Sequence, residues 1–120
     1  MNNLEDEEKV KNRDAAQRAA YAEQEKQAVM QISKIIEAAR NGQLKGRMDL
    51  DGKTGVIRTI SEGLNGLLDA TSNVVGDMKT SLSELADGRL KTVEMQDAKG
   101  DFAEIRHSYN EATSKMTKVI

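Results

Sequence analysis

Two stretches decide how this chain folds: Glu37-Ala38-Ala39-Arg40-Asn41-Gly42-Gln43-Leu44 and Ser83-Glu84-Leu85-Ala86-Asp87-Gly88-Arg89-Leu90. Each closes a helical pattern with a Gly, one variable residue and a Leu, and the two stand 46 residues apart. A Gly just past the last periodic residue is a helix stop, because it enters the left-handed backbone region without a Cβ penalty. Further along, Ile57, Ile60, Leu64 and Asn65 answer Phe102, Ile105, Tyr109 and Asn110 at an offset of 45, so the second connector is one residue shorter. Self-similarity at such a period marks a stack of helical units. Each unit reads as helix, Gly-x-Leu turn, connector, helix.

Upstream of Gly42 the apolar residues Val29, Ile32, Ile36 and Ala39 recur in steps of 3, 4 and 3, the spacing of a coiled-coil seam. Between the two glycines, Ile57, Ile60, Leu64, Leu67, Thr71, Val74 and Met78 alternate steps of 3 and 4, and Leu82 then adds a second consecutive step of four before Leu85. Two steps of four in a row are a stutter, which locally unwinds a coiled coil. No Pro interrupts residues 56–86, so the pattern predicts one continuous helix there. The last stripe is Phe102, Ile105, Tyr109, Ala112, Met116 and Val119. Residues 4–28 are densely charged, with Ala15, Ala16, Ala19 and Ala20 among the charges, and read as a helix solvated on most faces. The chain therefore divides into a charged lead-in helix (1–28), a first unit (29–75) and a second unit (76–120).

Composition agrees with an all-α fold that needs a partner. The 120 residues include 32% charged and only 2% aromatic side chains, with no Pro, Cys or Trp. The apolar material is Ala, Leu, Ile, Val and Met, a mixture typical of long helices. A unit this small has a core worth only a few kcal/mol, and oligomerisation is the common remedy. The connectors set the geometry. About 12 extended residues reach up to ~40 Å, enough to return along a helix and start the next one in the same direction. An antiparallel hairpin of helices needs only about 2–5. Leu44, Met48 and Leu50 in the first connector, and Leu90, Val93 and Met95 in the second, are anchors that lay it against the bundle. Two parallel helices with one-sided stripes leave apolar surface open, and a second copy of the chain closes it. The expected fold is all-α: parallel four-helix coiled-coil bundles formed by homodimerisation, two units stacked and fused by the continuous helix.

Other chemistry is thinly represented. The net charge of −2 leaves no electrostatic footprint for nucleic acid. The absence of Cys removes disulfides and thiolate metal sites. The sole histidine, His107, falls off the Ile105/Tyr109 stripe and reads as a surface residue. Asp6-Glu7 and Glu37 have no His or Cys beside them to complete a metal site. Asp51-Gly52-Lys53-Thr54-Gly55 lacks the spacing and the preceding strand of a phosphate loop. No acid–base pair or nucleophile constellation is present, so the chain is expected to be no enzyme and to carry no cofactor. The acidic start MNNLEDEEKV is unlike a secretory signal, and no apolar run approaches the ~18–20 residues that cross a bilayer. A cytoplasmic location without direct membrane contact is expected. Thr117-Lys118-Val119-Ile120 stops inside an apolar pattern, so the chain is expected to be part of a longer protein.

Taken together, the Gly-x-Leu turns (Gly42 and Leu44; Gly88 and Leu90), the connector hydrophobes (Met48 or Leu50; Val93 or Met95) and an Asn five residues after an Ile (Ile60 to Asn65; Ile105 to Asn110) resemble the HAMP domain of bacterial chemoreceptors and sensor histidine kinases, in two copies covering roughly residues 29–120. The family's second helix typically opens with an Asp-Glu pair. The second copy has Gly100-Asp101 there and the first has Gly55-Val56, so one acid survives in one copy. The Pro common in the first helix of membrane-adjacent members is absent. The resemblance implies a parallel four-helix dimer in which Gly42, Leu44, Gly88 and Leu90 pin the connectors and Asp101 contacts its connector. It also implies a role: relaying conformational change from an upstream sensory domain to a downstream chemoreceptor signalling (kinase-control) module of the same polypeptide. The relay segment of a sensor histidine kinase, or a passive coiled-coil dimerisation spacer, are the alternatives. Asn65 and Asn110 read either as buried specifiers of register or as flanking residues. Seam residues that are small or adaptable (Ala39, Thr71, Met78, Ala112 and Met116) suit a bundle with two packings close in free energy. The stutter near Met78–Leu82 is where the phase of the two bundles is expected to be reconciled.

Overall fold

The helix that reaches Gly42 runs unbroken from near the start of the chain. In the computed structural model, residues 3–90 and 98–119 are described, the side chains of 118 and 119 apart. They form three α-helices: α1 (Asn3–Arg40), α2 (Gly55–Ala86) and α3 (Asp101–Val119), with no strand among the described residues. The stretch read as one helix over 56–86 is α2, 32 residues long. Its three internal glycines, Gly63, Gly66 and Gly76, do not break it, since each costs only about 1 kcal/mol against Ala.

Both Gly-x-Leu turns stop their helix with the same hydrogen bonds. At the first, Gly42 has φ +87° and its N–H donates to the Ala39 carbonyl at 2.9 Å, while the Gln43 N–H donates to the Ala38 carbonyl at 2.9 Å. At the second, Gly88 has φ +83°, its N–H donates to the Leu85 carbonyl at 2.9 Å, and the Arg89 N–H donates to the Glu84 carbonyl at 2.8 Å. These are paired 5→2 and 6→1 bonds, which satisfy carbonyls that a helix end otherwise leaves open.

The chain divides into two compact units, Met1–Glu62 and Gly63–Ile120, with the division inside α2. In the first unit the buried residues are Ala28, Ile35, Met48 and Ser61. Residues 3–27 of α1 are exposed throughout. The first connector turns back along α1: at Gly46 a Cβ would stand 3.4 Å from Cγ1 of Ile35. Asp51–Thr54 and Ile57 then share an open cleft with α1 residues between Tyr21 and Gln31. So α2 starts beside the middle of α1, as a returning connector requires. Met48 anchors the connector at 3% exposure, worth about 1.5–3 kcal/mol of burial. Leu44 and Leu50 are half-buried beside it in sequence. In the second unit the buried residues are Leu68, Val74, Ser81 and Thr113.

Candidate functional site

The connector of the first unit is held by cations reaching its carbonyls. Arg47 donates from Nη1 to the Leu44 and Gly46 carbonyls, each at 2.6 Å. Arg58, one turn into α2, donates from Nη1 to the Leu50 carbonyl at 3.0 Å and from Nε to Glu62 Oε1 at 2.7 Å. The Lys53 ammonium donates to the Asp49 carbonyl, and the Asp51 N–H donates to Asp49 Oδ1 at 3.0 Å, closing a side-chain turn. These basic residues carry no apolar period and stood outside the motif, so pattern reading passed over them.

In the second unit, α2 and α3 are tied by a hydrogen bond from the Tyr109 hydroxyl to the Ser81 carbonyl at 2.8 Å. One turn on, the buried Thr113 hydroxyl donates to the Tyr109 carbonyl at 2.5 Å, and Thr117 donates to the Thr113 carbonyl at 2.9 Å. Leu90 is half-buried, Asp101 opens α3 in an exposed position, and Val93 and Met95 lie outside the described residues. Asn65 and Asn110 are both half-buried, and each is engaged by a neighbouring group. His107 is 80% exposed at its side chain, with Nε2 3.7 Å from Glu111 Oε2. Hydrogen bonding from Lys115, then the charges of Lys115 and His107, lower the Glu111 carboxyl below its ordinary value. Among the described residues no group of three or more His, Cys, Asp or Glu could hold a metal ion, and no helix is long and apolar enough to cross a membrane.

The arrangement most useful for function is a set of adjacent residue pairs, one buried and one exposed. In α1 the buried member comes first: Ala28 before Val29, and Ile35 before Ile36. In the upstream part of α2 the order reverses: Ile60 is exposed and Ser61 buried, and Leu67 is 62% exposed beside Leu68 at 3%. In the downstream part it returns: Val74 before Val75, and Ser81 before Leu82. In α3 it reverses again, with exposed Ile105 before half-buried Arg106, and exposed Ala112 before buried Thr113. The pairs of α1 recur in α2 at an offset of 46, and those of upstream α2 recur in α3 at 45. These are the two offsets of the sequence repeat.

Adjacent residues lie about 100° apart around a helix. A buried residue before the exposed one and a buried residue after it therefore sit on opposite flanks of the exposed line. The register change lies where the buried line steps six residues, Leu68 to Val74, and the exposed line steps eight, Leu67 to Val75. This change of order stands upstream of the stutter expected near Met78–Leu82. The sequence stripe placed Leu67, Val74 and Leu82 on one seam, although Val74 is buried within its own chain and the other two are exposed. Hydrophobicity alone cannot separate two apolar lines that run one residue apart.

The model of the family described as HAMP domain matches residues 53–118, more than half of the chain. The chain is 26% identical over 97 residues to the methyl-accepting chemotaxis protein McpB of Pseudomonas aeruginosa, an alignment covering 81% of this chain and 14% of that protein. The chain thus spans about a seventh of that relative's length. No solved structure matches. With its three helices, its Gly-x-Leu turns and the family match across α2 and α3, the chain belongs to the HAMP domain family.

Proposed function

We propose that this chain is a tandem HAMP relay, acting as a homodimer that passes conformational change from an upstream sensory domain to a downstream kinase-control module of a chemoreceptor. Its functional copies are 29–75 and 76–120, preceded by the lead-in helix 1–28. The observation that carries this reading is the recurrence of the buried–exposed pairs at offsets of 46 and 45. That recurrence supports a repeat in side-chain environment as well as in motif, although the family match starts only at residue 53. Each helix in the first-helix place buries the residue before its exposed one, and each in the second-helix place buries the residue after it. That rule is expected of two parallel helices side by side that both turn a third face toward a symmetry mate. α2 obeys both forms in turn, so it is at once the exit of one copy and the entry of the next.

Apart from Ala112, the exposed members are large and apolar: Val29, Ile36, Ile60, Leu67, Val75, Leu82 and Ile105. Exposed apolar side chains that recur at fixed offsets favour an interaction site. Their recurrence on each helix supports a second copy of the same chain in parallel, each exposed line meeting its equivalent. The similarity to a methyl-accepting chemotaxis protein supports the chemoreceptor setting.

Cysteine crosslinking tests the pairing. Leu67→Cys and Ile60→Cys should each give a symmetric disulfide dimer on mild oxidation, and Leu68→Cys should not. Failure of Leu67→Cys to crosslink, or equal crosslinking by both neighbours, would count against parallel pairing through the exposed line. A passive spacer would crosslink in the same way, so the relay itself is tested in the full-length receptor. Inserting one residue between Leu68 and Val74 should invert or abolish output while dimerisation persists, and unchanged output would leave only the spacer.

A further inference from the structure

Four threonines in the helices of this chain share a habit. Thr59 donates to the Gly55 carbonyl, Thr71 to Leu67, Thr113 to Tyr109 and Thr117 to Thr113, each one turn back at 2.5–3.2 Å. Ser61 departs from it. It is 0% exposed, and its Oγ has no hydrogen-bond partner among the described residues. A buried hydroxyl without a partner keeps the full cost of leaving water, which is why such groups are rare and call for an explanation. An Ala of nearly the same size would fill the place without that cost. The equivalent position in the second copy is Arg106, half-buried and engaged by a neighbouring group. At this position of the repeat, the penalty therefore belongs to the first copy alone.

Taking the relay reading as its basis, we propose that Ser61 makes the first unit the responsive half of the relay. Its orphan hydroxyl destabilises the packing described above and brings it close in free energy to a second packing of α2 in which that hydroxyl is hydrogen-bonded. A two-state element responds to a modest bias only when its states lie within a few kcal/mol of each other. A group that penalises one state alone moves the balance toward that condition. The second unit, whose buried hydroxyl at Thr113 is bonded, then follows rather than initiates.

Amide hydrogen exchange on the whole chain tests this. Ser61→Ala should slow exchange across residues 28–62 about ten-fold, the fold-change expected from removing an unpaired buried hydroxyl, and leave the second unit unchanged. Ser61→Cys, a poor hydrogen-bonding group of similar size, should do the same. Ser33→Ala is the control: Ser33 is an exposed residue of α1 in the same unit, and the substitution should gain only the roughly two-fold due to helix propensity. Faster or unchanged exchange in Ser61→Ala would overturn the proposal, because the hydroxyl would then be satisfied. An equal gain in Ser33→Ala would overturn it too. In the full-length receptor, Ser61→Ala should require a larger input for the same output, and an unchanged dose response would also count against the idea. Sedimentation of the same samples separates this from the dimer reading: a monomeric chain would sink the relay, whereas the exchange result bears on Ser61 alone.

Discussion

Ile35 and Ser81 stand at the same place in the repeat, 46 residues apart and both 8% exposed, yet their surroundings are held by different forces. With Ile35, the buried residues of the first unit are Ala28, Met48 and Ser61, so apolar burial dominates its interior, and the Ser61 hydroxyl has no hydrogen-bond partner among the described residues. Around Ser81 the helices meet through the Tyr109 hydroxyl on a backbone carbonyl, backed by Thr113. Leu64 and Leu68, which answer Tyr109 and Thr113 in the repeat, have no such groups to offer. The difference teaches that one helical scaffold tolerates two kinds of interior. Apolar packing is non-directional and permits small shifts of a helix, whereas a hydroxyl aimed at a chosen carbonyl fixes register.

The comparison can be broken most forcefully in the apolar half. Ile35→Ala should lower the stability of the chain by about 2–5 kcal/mol in urea denaturation, and Met48→Ala by a similar amount, because both leave cavities. Ser81→Ala should cost less than about 1 kcal/mol, since the Tyr109 bond runs to the backbone and survives the change. If Ser81→Ala proved as costly as Ile35→Ala, the contrast between the two interiors would fall. The turns come next. Gly42→Ala and Gly88→Ala should each cost about 1–2 kcal/mol, and nearly equally, because a Cβ at either meets nothing within 4 Å and only the positive φ is penalised. Unequal values, read from thermal melts, would mean that the two turns are not equivalent. Tyr109→Phe should cost about 0.5–1.5 kcal/mol and speed amide exchange in α3 more than in α1. The smallest effect concerns pH. Glu111 is held below its ordinary value, so its pairing with Lys115 is present above that value and is lost as pH falls through the lowered one. Lys115→Met should therefore raise the Glu111 midpoint in an NMR titration toward its ordinary value of 4.5, and an unmoved midpoint would remove Lys115 as the cause.

Sequence alone determined the helical class, the stops at Gly42 and Gly88 and the uninterrupted run of α2. These are local matters of backbone sterics and of apolar spacing, and they are written in neighbouring residues. It also made the 46- and 45-residue offsets visible. Which member of each adjacent pair is buried was decided only by the tertiary structure. Leu67 and Leu68 are the same residue type, and nothing local separates them; a neighbouring segment covers one and leaves the other bare. The same holds for Val74 and Val75, and for Ile35 and Ile36. Nothing in the sequence marks Ser61, Ser81 and Thr113 as buried, because their burial depends on what packs over them and not on their own chemistry. Arg58 and Arg47 escaped notice for the related reason that their partners are backbone carbonyls, which no side-chain pattern encodes.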